Sequence, residues 1–145
     1  MTRILLGCRL IPVVVLLGIV LALGQCADAA TIQIRVLNAK NGTRVKNQKV
    51  SVNVKGEKGA REYVADAEGE FDLEIDPSAE IWVATEWWVT CRTIHPPTID
   101  YDSVDKILKE GVTYENNCGH AKSEPIRGKL IIFARKASLA ELFAK

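Results

Sequence analysis

Two cysteines and two histidines are the residues of this chain whose types and spacing could do chemistry together. Three residues separate Cys91 from His95, and a single residue separates Cys118 from His120. Thiolate and imidazole both bind Zn²⁺ in tetrahedral sites, and a thiolate beside an imidazole base can act as a nucleophile. A small metal-binding protein or a hydrolase that uses the Cys91/His95/Cys118/His120 cluster is therefore one interpretation of the sequence.

The beginning of the chain has the order of a secretory signal. Arg3 and Arg9 are basic, residues 10–23 are almost wholly apolar, and Ala27-Asp28-Ala29 has the small-x-small pattern of a cleavage site. This order predicts a signal peptide over residues 1–29 and a secreted or periplasmic mature domain over residues 30–145.

Two other interpretations of this leader stay open. A retained membrane anchor needs about 20 apolar residues, which residues 10–23 reach only if the span is extended back across Arg9. A lipid on Cys26 generally requires a small residue just before the cysteine, where this chain has Gln25. A membrane contact is therefore expected only if the leader is retained.

Export changes the interpretation of the cysteines. Cys8 and Cys26 lie in the leader, so the mature domain keeps Cys91 and Cys118, and two cysteines in an oxidising compartment most simply form one disulfide. The Cys–His spacings are also atypical of structural zinc sites, and no flanking motif supports a nucleophile. We predict a Cys91–Cys118 disulfide, with no metal site, no cofactor and no catalytic residue.

Three tryptophans are the candidates for partner binding. Trp82, Trp87 and Trp88 lie close together in the sequence, and aromatic surfaces stack on sugars or anchor proteins. In one continuous strand Trp87 would share the face of Ile81 and Val83, so at least one indole is expected in the core. The other two would form an exposed patch.

Net charge argues against nucleic acid as a partner. The chain has 19 Lys and Arg against 18 Asp and Glu, and the leader holds Arg3, Arg9 and Asp28, so the mature domain is neutral. Nucleic-acid binding usually requires a basic surface. The acidic residues Asp72, Glu74 and Asp76 alternate with apolar ones, which is typical of the solvated face of a strand rather than of a calcium site.

The pattern of the mature chain is that of short strands. Apolar and polar residues alternate, and Gly, Asn and Pro mark the turns. The predicted strands cover residues 31–37, 49–55, 61–65, 71–75, 80–89 and 129–135, the last being apolar on both faces and therefore central.

Two short helices are predicted beside these strands. Residues 103–110 have helical spacing, with Asp102 or Ser103 as cap and Gly111 as terminator, and Ser138-x-x-Glu141 opens a C-terminal helix. The fold class is an all-β antiparallel sandwich of about seven strands. Residues 91–128 would be a loop–helix excursion closed on itself by the disulfide.

Residues 31–85 resemble the carboxypeptidase regulatory-like, transthyretin-like β-sandwich. The motifs that carry this resemblance are the turn Asn38-Ala-Lys-Asn-Gly42 and the segment Ala65-Asp-Ala-Glu-Gly-Glu-Phe71 between two alternating strands. The resemblance implies an Ig-like Greek-key topology and a non-catalytic accessory, adhesive or carrier role. The chain ends in Leu-Phe-Ala-Lys rather than in the Tyr-Arg-Gly-Ser of the transthyretin-like hydroxyisourate hydrolases, so that activity is not expected.

The favoured function is that of a non-catalytic exported module that binds an unidentified protein or saccharide at the cell envelope. Two alternatives stay open. One is the metal-binding protein or hydrolase built on the Cys/His cluster, and the other is a structural subunit of an envelope assembly whose sheet edges pair with a neighbour.

Overall fold

The computed structural model describes residues 29–86, 88–92 and 99–138. The predicted leader, Trp87, His95 and the predicted C-terminal helix beyond Ser138 lie outside these residues. The elements are β1 (Ala30–Asn38), β2 (Lys49–Val54), β3 (Ala60–Val64), β4 (Glu70–Ile75), β5 (Glu80–Thr85), β6 (Trp88–Thr90), β7 (Asp102–Ser103), α1 (Val104–Lys109), β8 (Val112–Thr113) and β9 (Lys129–Lys136).

The strands form two sheets that pack face to face, which confirms the predicted all-β sandwich. The five-stranded sheet has the order β4-β1-β9-β6, with β8 also pairing with β9, and the four-stranded sheet has the order β3-β2-β5-β7. Nine strands are described instead of about seven, because β6, β7 and β8 are too short to show a period of two. The ladders of β9 with β1 and with β8 are parallel, so the sandwich is not purely antiparallel.

The core between the sheets follows the predicted alternation. Most inward side chains of both sheets are buried, and the outward residues of β2, β3, β4 and β5 are exposed or partly exposed. The buried set includes Ile32, Ile34 and Val36 of β1, Val50, Val52 and Val54 of β2, Leu73 and Ile75 of β4, and Ile81 and Val83 of β5.

The central position of β9 is also confirmed, since it pairs with β1 on one side and with β6 and β8 on the other. Leu130 and Ile132 belong to the core between the sheets, whereas Ile131 and Phe133 are buried on the opposite, outer face. The double-sided apolar character of this strand therefore requires a second layer of chain outside the five-stranded sheet.

Residues 114–128, here called the covering segment, supply this layer. Cys91, Leu37 and Ala39 pack with Ile131 and Phe133, and Cys118 and Ala121 of the covering segment close the cluster. Backbone hydrogen bonds fix the segment, because Ala121 N–H donates to the Ala39 carbonyl (3.1 Å) and Tyr114 N–H donates to the Ile131 carbonyl (2.8 Å).

The predicted Cys91–Cys118 disulfide is present, with 5.4 Å between the two Cα atoms. It joins the end of β6 to the covering segment, and the Asn116 side-chain amide reinforces the join by donating to the carbonyls of Ala39 (2.8 Å) and Ala121 (2.9 Å). Residues 91–128 are thus not an excursion closed only on itself. They add β7 to one sheet, add β8 to the other, and cover β9.

The predicted strand over residues 80–89 is wrong as a single element, because β5 and β6 belong to different sheets. The corner between them is held by hydroxyl groups. Thr85 N–H donates to Thr90 Oγ1 (2.9 Å), and Thr85 Oγ1 donates to the Trp88 carbonyl (2.9 Å). Gln48, the buried polar residue of the described chain, donates from its amide to the carbonyls of Lys49 and Glu86.

The predicted inserted helix is confirmed as α1. Ser103 is its N-cap, with Oγ accepting from Lys106 N–H, and Val104 and Ile107 are buried against the core. Gly111 ends it with φ +78°, and a Cβ there would lie 2.2 Å from the Ile126 carbonyl oxygen. In the described part of the chain, no helix is long and apolar enough to span a bilayer.

We expect removal of the disulfide, by Cys91→Ala with Cys118→Ala, to lower the free energy of unfolding by about 3 kcal/mol, because the open loop raises the entropy of the unfolded chain. Urea denaturation followed by circular dichroism measures the change. A thiol reductant should weaken the wild type to a similar degree and leave the double variant unaffected. Equal midpoints for the oxidised wild type and the double variant would contradict the prediction.

Candidate binding face

The two outer faces of the sandwich differ in what lies on them. The outer face of the five-stranded sheet carries the covering segment, which buries Ile131 and Phe133. The outward side chains of the four-stranded sheet are exposed or partly exposed along β2, β3 and β5. This surface, here called the open face, comprises Ser51, Asn53, Ala60, Glu62, Trp82 and Ala84.

The strand register sets the arrangement of the open face. One row runs Glu62–Ser51–Ala84 and the next runs Ala60–Asn53–Trp82, each across β3, β2 and β5. Directly opposed residues on one face of an antiparallel pair have Cβ atoms about 5 Å apart. Trp82 therefore lies among small or short side chains, with Asn53 directly opposite on β2.

Tyr101 extends the second row. β7 pairs with β5 through Glu80 with Ser103 and Ile81 with Asp102, so the next position of this antiparallel ladder brings Tyr101 beside Trp82. Tyr101 is partly exposed, and Lys55 Nζ lies 6.0 Å from its ring centroid. Two aromatic residues thus follow each other along one line of the open face.

Hydrogen-bonding groups at the centre of this face are unused. The side chains of Ser51 and Asn53 and the indole N–H of Trp82 make no hydrogen bond to any other residue in the ranges described. Their neighbours at the margin are charged but paired, since Lys49 meets Glu86 at 3.5 Å and Lys55 meets Glu80. Around Trp82, the side chains of Ser51 and Asn53 offer both donors and acceptors, and Glu62 opposite Ser51 adds a carboxylate.

Two of the three tryptophans proposed from the sequence, Trp82 and Trp88, do not share one surface. Trp82 is on the open face, whereas Trp88 is in the other sheet, opposite Lys136, and packs in part against the core between the sheets. Trp87 lies outside the described residues. The reason is the corner after Thr85, which places β5 and β6 in different sheets, so alternation cannot be continued through it.

The two cysteines of the Cys/His cluster are joined in a disulfide. A disulfide sulfur is neither a thiolate ligand nor a thiolate nucleophile. His120 is exposed on the covering segment, and His95 lies outside the described residues. Within residues 29–86, 88–92 and 99–138, no group of three His, Cys, Asp or Glu side chains is close enough to hold a metal ion.

A shallow groove of about 800 Å³ runs beside the covering segment. Phe133 and Tyr114 contribute to its lining, together with Glu115, Asn116 and His120. The Asn116 amide already holds the segment to the sheet, as described above, and Glu115 and His120 point to solvent. The groove is best explained as the seam between the covering segment and β9.

A partly buried polar cluster is the feature that the sequence did not indicate. Arg92 Nη1 donates to Asp102 Oδ2 at 2.7 Å, and the Arg92 guanidinium lies 4.3 Å from the centroid of the Tyr114 ring. A cavity of about 310 Å³ adjoins these side chains. The three residues come from three separate segments, so this cluster ties the ends of β6, β7 and β8 together.

The electrostatics of this cluster keep Tyr114 neutral and Arg92 charged. Burial raises the pKa of the Tyr114 hydroxyl and the Asp102 carboxylate raises it further, so Tyr114 stays protonated. Burial alone would lower the pKa of Arg92, but Tyr114 and Asp102 raise it on balance. The buried hydroxyls of Tyr114 and Thr113 have no hydrogen-bond partner within the described ranges.

Comparison with family models, with curated proteins and with solved structures finds no match to this chain.

We expect the Arg92–Asp102 pair to contribute measurably to stability, because its side chains are only 19% and 14% exposed. A double-mutant cycle with Arg92→Gln and Asp102→Asn should give a coupling of about 1–3 kcal/mol in urea denaturation. The Asp105–Lys109 pair, which is 53% and 67% exposed, is the control, and its cycle should give no more than about 0.5 kcal/mol. Equal couplings for both pairs would refute the structural role of the cluster.

Proposed function

We propose that this chain is an exported, non-catalytic binding module that contacts its partner at the cell envelope through the open face. The observation that carries the proposal is the asymmetry of the sandwich, in which one outer face is covered by residues 114–128 and the other presents Trp82 among unused hydrogen-bonding groups. A partly exposed aromatic residue on a rigid sheet binds at little entropic cost, because its side chain is already ordered.

The proposal also includes the compartment and the type of domain. The leader pattern supports export, and the Cys91–Cys118 disulfide is compatible with an oxidising compartment. The two-sheet architecture is compatible with the transthyretin-like, carboxypeptidase regulatory-like resemblance of residues 31–85, which remains part of the proposal. Because common folds host many functions, the proposed binding role rests on the exposed surface of the sandwich and not on its fold.

The test is the binding of the mature domain to isolated envelopes of the cells that produce it. Co-sedimentation should retain the wild type, and Trp82→Ala should lower the apparent affinity at least tenfold, since the ring supplies most of the apolar contact. Lys122→Ala on the covering segment is the control and should bind like the wild type. Urea denaturation of each variant separates lost binding from lost folding. Wild-type and Trp82→Ala proteins that bind equally would refute the role of the open face.

A second candidate function, a subunit of an envelope assembly, is favoured by the free edge of the four-stranded sheet. Among the residues that the structure describes, β3 pairs only with β2, and Val64 at its end is 57% exposed. Tyr63 of β3 stacks on Phe71 of β4, with 5.0 Å between ring centroids. The β3 edge of the four-stranded sheet and the β4 edge of the five-stranded sheet therefore lie at the same side of the sandwich. Unpaired edges of this kind pair readily with another strand.

If β3 makes such an assembly, the sedimentation coefficient of the mature domain should rise with protein concentration. Val64→Lys should abolish the rise, because a charge on an edge strand opposes pairing. Lys58→Ala in the preceding turn is the matched control, which should self-associate like the wild type. A wild type that stays monomeric at every concentration would exclude this second candidate and leave the binding module.

A further inference from the structure

We infer that the open face accepts a neutral saccharide chain, an inference that rests on the binding function proposed above and names its ligand class. Four features of this surface support it, namely its shape, its hydrogen-bonding groups, its charge and its composition.

The shape of the site suits an extended polymer. The four strands of this sheet extend roughly 15 Å across the strand direction, at about 4.8 Å between neighbours. Ser51, Asn53 and Ala84 surround Trp82 with short side chains, and Tyr101 follows in the next strand position. A line of two aromatic residues on a sheet does not enclose a single small molecule, which usually binds in a concave pocket. Such a line can instead contact successive sugar units of a saccharide chain.

The hydrogen-bonding groups suit hydroxyls. Ser51 and Asn53 each offer a donor and an acceptor, Trp82 offers its indole N–H, and Glu62 offers carboxylate oxygens. A sugar hydroxyl both donates and accepts, so a mixed set of unused groups is complementary to it. The C–H bonds on the face of a sugar ring are weakly positive and pack against the negative face of an indole ring.

The charge of the site argues against an anionic ligand. The lysines at its margin, Lys49 and Lys55, are engaged with Glu86 and Glu80. Glu62 makes no ion pair with any residue that the structure describes, so its charge repels an anionic polymer. A phosphate-rich or sulfated chain would find no unpaired cation at the centre of this face.

The composition of the face argues against a protein partner. The centres of protein interfaces are enriched in aromatic residues, Met and Arg, and they are depleted in Ser, Ala and Glu. Apart from the line of Trp82 and Tyr101, and from Val64 at its margin, the open face has two alanines, a serine, an asparagine and a glutamate. A protein hot spot typically clusters several large anchors.

The decisive experiment uses isolated envelopes of the producing cell, treated before binding. One portion is oxidised with periodate, which cleaves the vicinal diols of sugars, and quenched. A second portion is digested with a protease and washed. We expect the mature domain to bind the protease-treated envelopes like untreated ones and to lose at least tenfold in apparent affinity on periodate-treated envelopes.

Two variants and a salt series complete the test. Trp82→Ala and Asn53→Ala should each lower the affinity for protease-treated envelopes at least tenfold, and Asn53→Ala keeps the test valid if Trp82→Ala fails to fold. Lys122→Ala is the matched control. Binding should persist in about 1 M NaCl, where the Debye length is about 3 Å, because no ion pair with the ligand is involved.

The outcomes separate this inference from the proposed function. Binding that survives periodate and disappears after protease identifies a protein partner, which overturns the saccharide and leaves the binding module. Binding that high salt abolishes identifies a charged ligand and overturns the neutral one. No binding to untreated envelopes refutes the proposed function, and the inference with it.

Discussion

The structure depends on one strand that is apolar on both faces. β9 places Leu130 and Ile132 in the core between the sheets and Ile131 and Phe133 in a second cluster outside them. A strand of this kind must be covered twice, because exposure of either row leaves large apolar side chains in water. The inner cover is the four-stranded sheet. The outer cover is the covering segment, held by the Cys91–Cys118 disulfide and by Asn116.

The position of β9 also determines which surface is free for a partner. Since the covering segment occupies the outside of the five-stranded sheet, the open face is the remaining flat surface of the sandwich within the described residues. The polar residues likewise fall into those that hold the fold together and those that lie on the open face. Arg92, Asp102 and Tyr114 join three chain segments, and Thr85 and Thr90 turn the chain from one sheet to the other. The side chains of Ser51 and Asn53, by contrast, make no hydrogen bond to any residue that the structure describes.

Much of the fold could be predicted because its determinants are local. The alternation of Ile32, Ile34 and Val36 identifies the inner face of β1 before any partner strand is known. The α1 cap at Ser103 and its end at Gly111 depend on a few neighbouring residues. The corner at Thr85 could not be predicted in the same way. It interrupts a run in which most side chains favour a strand, and it is held by hydroxyl and amide hydrogen bonds that form only when Gln48 and Thr90 are brought nearby.

The sequence by itself determined the two-layer β architecture, the central strand and the cysteine pairing. The alternation of apolar and polar residues and the turn residues are properties of short stretches, and the predicted mature domain has only two cysteines to pair. Only the tertiary structure decided that β1 and β9 run parallel, that the covering segment lies outside β9, and that Trp82 and Trp88 belong to different surfaces. The physical reason is that alternation tells which side chains are buried but not which layer buries them. That choice is made by contacts between segments far apart in the chain, such as the bond from Asn116 to Ala39.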